Sequence, residues 1–159
     1  MPRLPRGRER RVSEEELLEI KRHLTPVMAA IVTIALTTAM RRSEIIRLES
    51  EDLLPGGRLH VRESKNGRSR VIPLNSDAQQ ALNLLLGGAM PSADSVSQAF
   101  RRACNRVVAE NLHLHDLRHE AISRLFEQGL SVPQVAAISG HEDFRMLARY
   151  THINSMEGD

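Results

Sequence analysis

Hydrophobic positions along this chain recur first at helical spacing, then at strand spacing, then at helical spacing again. "SEEELLEI" sets Leu17, Leu18 and Ile20 behind a capping box, with Ser13 as N-cap and Glu16 three residues on, and predicts a first helix. Thr25-Pro26 opens a second, with Pro26 at the first helical position, where its missing N–H costs nothing. That stretch, "PVMAAIVTIALTTAM", is apolar nearly all round and predicts a helix through the middle of the domain, ending at Arg41. A short helix over "SEIIRL" follows. Between 52 and 74 the pattern changes: "GGRLHVRES" and "RSRVIPL" read as short strands joined by the turn "KNGR", with Asn66-Gly67 as the hairpin signal and Lys65 at the rim. Beyond Asn75 helices are predicted over roughly 76–86, 95–109, 115–128, 131–139 and 143–149. The fold class expected is α+β, mainly α-helical, with a small antiparallel sheet or hairpin at one edge.

A length of 159 residues with 41% hydrophobic content fits one domain with a real core. Three Phe, one Tyr and no Trp make that core aliphatic and argue against base-stacking platforms for single strands. The single cysteine, Cys104, excludes an internal disulfide and a cysteine metal cage, and its setting in "FRRACNRVV" fits a small buried residue on a helix. No apolar run approaches membrane length and no signal peptide is visible, so a cytoplasmic location away from membranes is expected. Net charge is only +2, but residues 1–12 carry five Arg against one Glu, leaving −2 for the rest. This stretch reads as a basic linker or arm, either a solvated tail or a contact to a polyanion.

Candidate chemistry sits at the ends of the predicted elements. Arg41 follows a buried helix directly, so core packing anchors it. A guanidinium there needs a partner, which is either an internal carboxylate such as Glu44 or a bound anion. Lys65 in the hairpin turn is either a solubilising surface residue or a mobile ammonium able to reach a reaction centre. "HDLRHEAISRLFEQGL" crowds His115, Arg118 and His119 into the first turns of one helix. His115 and His119 at i, i+4 could bind zinc with His113 or His141 as a third ligand, but Asp116 stands where a zinc protease needs Glu. Alternatively the helix start is an anion site, since its N–H groups already favour negative charge. Gly140 ends a helix and leaves His141 facing a cleft, and the lone Tyr150 follows nine residues later.

As a set, two Arg, one Lys, two His and one Tyr suit phosphodiester transfer without metal or cofactor. Guanidiniums clamp the extra charge of a five-coordinate phosphorus, a phenol oxygen attacks it, and a lysine or histidine protonates the departing alkoxide.

"AMRRSEIIRL", Lys65 before "RVIPL", "HDLRH", "SGH" and "RYTHI" stand in the order and approximate spacing of the tyrosine recombinases, the phage integrase family, which the chain resembles from residue 13 to its end. The resemblance implies that Arg41 and Arg118 grip the scissile phosphate and that Lys65 is general acid toward the 5′-hydroxyl. It makes His115 an acid/base candidate, His141 a hydrogen-bond donor to the phosphate, and Tyr150 the nucleophile of a 3′-phosphotyrosine intermediate. Glu44 and His119 brace the site, and Ala39 stands where the family often has Gly. It further implies a catalytic domain over 13–159 behind a linker over 1–12, without the amino-terminal DNA-clamping domain. The partners implied are double-stranded DNA and other recombinase subunits in a synaptic complex, in a bacterial or phage setting at the nucleoid. "THINSMEGD" has few apolar residues, so a monomer without DNA is expected, with Tyr150 loosely held or packed away from the phosphate site. Type IB topoisomerase-like strand passage and a DNA-binding module with a relict site are the alternative readings.

Overall fold

In the computed structural model, which describes residues 10–64, 68–107, 109 and 111–150, the helices begin where short polar side chains can cap them. Ser13, Thr25, Asn75, Ser92 and Ser131 each accept a hydrogen bond from a backbone N–H of the first turn they precede. They open α1 (Glu14–Lys21), α2 (Pro26–Thr38), α4 (Ser76–Leu86), α5 (Ala93–Arg106) and α7 (Val132–Ser139). Between these lie the short α3 (Arg42–Ile46) and the longer α6 (Leu114–Glu127). The chain closes its described part in a 3₁₀ segment, Phe144–Tyr150.

Helix α2 is buried on nearly every side and packs chiefly on α4 and α6, as its apolar sequence predicts. It ends at Thr38 rather than running to Arg41, because Ala39 turns left-handed with φ of 59° while its N–H still bonds to the Ala35 carbonyl at 3.1 Å. A left-handed alanine is uncommon, and it swings the chain so that Arg41 begins a new helix instead of continuing the old one.

The strand region forms a three-stranded antiparallel sheet in the order β1 (Leu53–Leu54), β2 (Arg58–Val61), β3 (Arg70–Pro73). Leu59 pairs with Ile72 and Val61 with Arg70, so these four side chains share the buried face. Strand β1, two residues long, leaves no periodicity to detect. Residues 65–67, the tip of the predicted turn, lie outside the described residues.

Two hydrophobic clusters result. The larger joins α1, α2, α4, α5 and the sheet around Ile31, Ile34, Leu59, Leu82 and Phe100. The smaller joins Ala39, the α6 residues Ala121, Ile122 and Phe126, Val135 and Ala136 of α7, and Leu147 and Tyr150. Helix α6 belongs to both, since Leu117 faces the first and Ala121 the second. Ahead of α1, Val12 is buried and its N–H donates to Glu120 Oε1 at 3.1 Å. Arg11 forks onto Glu120 and also reaches Glu127, while Arg10 pairs with Glu16, so residues 10–12 are docked on the domain.

Candidate active site

The seam between the two clusters is where the polar groups collect. Arg118 leaves α6 between Leu117 and Ala121 with only 4% of its surface exposed. Its Nη1 donates to the carbonyls of Ala39 and Ser139, the latter at 3.1 Å, so the left-handed end of α2 and the end of α7 aim it together. No carboxylate among the described residues lies within ion-pair distance of it. Burial, with Arg41 and Arg70 nearby, pushes its guanidinium down to about 9. It keeps its charge at neutral pH.

Arg41 sits at the N-cap of α3, its side chain 15% exposed, and lines the same cleft as Arg118. This cleft of about 790 Å³ runs between α2, α3, α5 and the start of α6, and His115 stands at its edge. Four arginines line it, Arg41, Arg42, Arg101 and Arg118, and no Asp or Glu among the described residues does. A concave surface of one sign next to low-dielectric walls concentrates an opposite charge.

Glu44 is the carboxylate that Arg41 was expected to need, and it accepts the Arg41 N–H at 2.9 Å and Arg41 Nη1 at 3.3 Å. Its principal partner, though, is Arg70, whose Nη1 and Nη2 donate to both carboxylate oxygens at 2.9 and 3.0 Å. Burial alone would raise the Glu44 carboxyl, but the Arg70 fork, the Arg41 N–H and both positive charges hold it below its usual range. Ser64, the last described residue before Lys65, donates to Glu44 Oε2 at 3.3 Å. Arg70 further donates from Nε to the Ile138 carbonyl at 2.8 Å and lies against Gly140, where a Cβ would run into its guanidinium. Gly140 also needs its freedom for φ of 82°. Arg70 thus ties the sheet, α3 and the end of α7 together, and the motif-based reading missed it. The available signal was strand alternation, which places Arg70 on the same inward face as Ile72.

His141, directly after Gly140, is buried. Ser139 Oγ lies 2.6 Å from its Nδ1, and Arg118 Nη2 lies 3.5 and 3.4 Å from its two ring nitrogens. Burial, then the charges of Arg118, Arg41 and Arg70, push this imidazole down to about 4, so it is neutral at pH 7. Ser139 is the serine of the "SGH" motif, but the sequence assigned it no role; its contact with the His141 ring is seen only in the structure.

Of the two states expected, loosely held or packed away, Tyr150 is packed. It is 6% exposed, stacks on Phe126 with ring centroids 5.9 Å apart, and its hydroxyl meets His119 Nδ1. The His119 ring in turn stands edge-on to exposed His115 at 4.7 Å. The structure therefore brings Arg41, Arg118 and His115 to one cleft, sets His141 against Arg118, and joins Tyr150 to α6 through His119. Lys65 lies outside the described residues. No group of three or more His, Cys, Asp or Glu among the described residues could hold a metal ion, and Cys104 is buried in the cleft wall, its thiol raised to about 11 by burial.

The model of the phage integrase family matches residues 10–157. The chain is 41% identical to a shufflon-specific DNA recombinase of Escherichia coli, over 98% of this chain and 43% of the relative. It is 31% identical to the tyrosine recombinase XerC of Pseudomonas savastanoi pv. phaseolicola, over 79% of this chain and 48% of that protein. The chain thus spans about half the length of these curated relatives. The catalytic domain of bacteriophage HP1 integrase superposes with a TM-score of 0.70 at 23% identity, covering 90% of this chain and 87% of that one. With the family model spanning nearly every residue and a relative at this identity along almost the whole chain, the chain belongs to the phage integrase family.

Proposed function

We propose that this chain is the catalytic domain of a site-specific DNA recombinase, breaking and rejoining duplex DNA through a 3′-phosphotyrosine. The observation that carries the reading is the cleft, lined by four arginines, in which Arg41 and Arg118 face one space while Tyr150 packs beside the helix that holds Arg118. A phosphodiester supplies the anion that Arg118 lacks. The two guanidiniums hold its non-bridging oxygens and gain strength as charge builds on them in the transition state. Neutral His141, held by Ser139, donates a further hydrogen bond to the same group. Tyr150 attacks phosphorus, and Lys65 protonates the departing 5′ oxygen. His115 stands at the cleft edge as a further acid/base group. No metal takes part in these steps.

The partners in this reading are double-stranded DNA at the bacterial or phage nucleoid and, on that DNA, further recombinase subunits. One relative's name, a DNA recombinase, supports the DNA part of this reading. Without DNA the chain is monomeric, and light scattering at micromolar concentration tests this. Among the described residues no helix is long and apolar enough to cross a membrane.

The deciding experiment offers the chain a pool of duplexes with a randomised core, each nicked so that the cleaved end diffuses away. Covalent protein–DNA product that survives denaturation and EDTA, and disappears in Tyr150→Phe, is the expected result. A gel shift without covalent product would favour a binding module. Relaxation of supercoiled plasmid without strand exchange would favour a topoisomerase.

A further inference from the structure

We propose that His119, beyond bracing the site, is the base that removes the proton from the Tyr150 hydroxyl. This rests on the transesterification reading above. A phenol ionises with a pKa near 10, so at neutral pH the nucleophile must lose its proton during attack. Tyr150 is 6% exposed, so bulk water is a poor acceptor at its oxygen. Phe126 fixes the ring by stacking at an interplanar angle of 12°, which directs the hydroxyl toward α6. There it meets His119 Nδ1, thirty-one positions away in sequence.

The other two imidazoles are placed for different work. His141 has its Nδ1 against Ser139 Oγ and its ring against Arg118. His115 stands edge-on to the His119 ring at the cleft rim. In cleavage the Tyr150 O–H bond breaks and its proton passes to His119 Nδ1. The phenolate oxygen bonds to phosphorus, the bond from phosphorus to the 5′ oxygen breaks, and that oxygen takes a proton from Lys65. In rejoining each transfer reverses, and His119 returns the proton to the phenol. The bound phosphate's negative charge favours the imidazolium that forms beside it.

His119→Asn is the informative variant, because an Asn amide oxygen can accept the same hydrogen bond without taking the proton. Single-turnover cleavage of a nicked duplex captured in the experiment above should slow about 10²- to 10⁴-fold, the usual contribution of a general base. In a second pair of proteins Tyr150 is replaced by difluorotyrosine, whose phenol is more acidic. There the loss on His119→Asn should shrink to less than tenfold. A duplex with sulfur at the 5′ leaving position, which relieves the need for an acid, should rescue Lys65→Ala and leave His119→Asn slow. Wild-type rates in His119→Asn, or equal losses with both phenols, would make the contact a resting clasp and overturn the assignment. If the unaltered chain forms no covalent product, it is the recombinase reading that fails, not this one.

Discussion

His141 gives the fold a titration with a defined sign. Its folded value of about 4 lies below the ordinary histidine value of about 6.5, so between these the unfolded chain holds a proton that the folded one refuses. Stability from this residue is complete above about pH 6.5 and falls as the pH drops toward 4. Between pH 7 and 5 the loss should be about 2 kcal/mol. Urea unfolding of the native chain and of His141→Gln at the two pH values measures it, and the variant should lose less over that interval. An unchanged pH dependence would mean that other groups carry the titration. The same residue illustrates how far side chains could be read in advance. Its place after a helix-ending glycine was legible in "SGH", but its neutrality comes from burial and from the charges of Arg118, Arg41 and Arg70, which come near it only in the fold.

At the scale of elements, Arg70 and Glu44 decide how the sheet, α3 and α7 meet. Removing one member of a buried ion pair strands the other, which typically costs about 3–5 kcal/mol. Arg70→Met should therefore destabilise the chain by about 3 kcal/mol in denaturant unfolding. Adding Glu44→Gln should cost far less than Glu44→Gln does in the native background, since the carboxylate has already lost its main partner. Fully additive losses would show that the two residues do not act as a unit. Helix positions were legible because caps and apolar periods are local: Ser13, Thr25, Asn75 and Ser131 each mark a start. Helix α5 begins at Ala93 rather than 95 because Ser92 caps it, and it ends at Arg106 rather than 109. The end of α2 was misplaced by three residues, because nothing local announces a left-handed alanine. The last predicted helix is 3₁₀, held in place by Leu147 and Tyr150 in the smaller cluster rather than by its own propensity.

For the molecule as a whole, charge is distributed by function rather than by sequence blocks. Of the arginine-rich start, read as a solvated tail or a contact to a polyanion, residues 1–9 lie outside the described residues, while Arg11 pairs with Glu120 and Glu127 and Arg10 with Glu16. Fluorescence anisotropy on a duplex across a salt series should separate these groups. Arg41→Ala should lower the log–log salt slope by about 0.9, one phosphate contact, whereas Arg11→Ala should leave it unchanged. Equal effects would mean that DNA pulls Arg11 off its carboxylates. The division into two hydrophobic clusters has a mechanical consequence. His141 and Tyr150 lie on α7 and the segment around the 3₁₀ turn, which share the smaller cluster with Ala39 and with Ala121, Ile122 and Phe126 of α6. Their ties to the sheet run through the Arg70 guanidinium, the rim residue Ile138 and the Gly140 carbonyl, which accepts the Arg68 N–H. The apolar and polar contacts that hold Tyr150 are made chiefly with α6, through Phe126 and His119. One helix thus carries Arg118 and anchors Tyr150, so whatever shifts α6 shifts the buried guanidinium and the phenol as a single body.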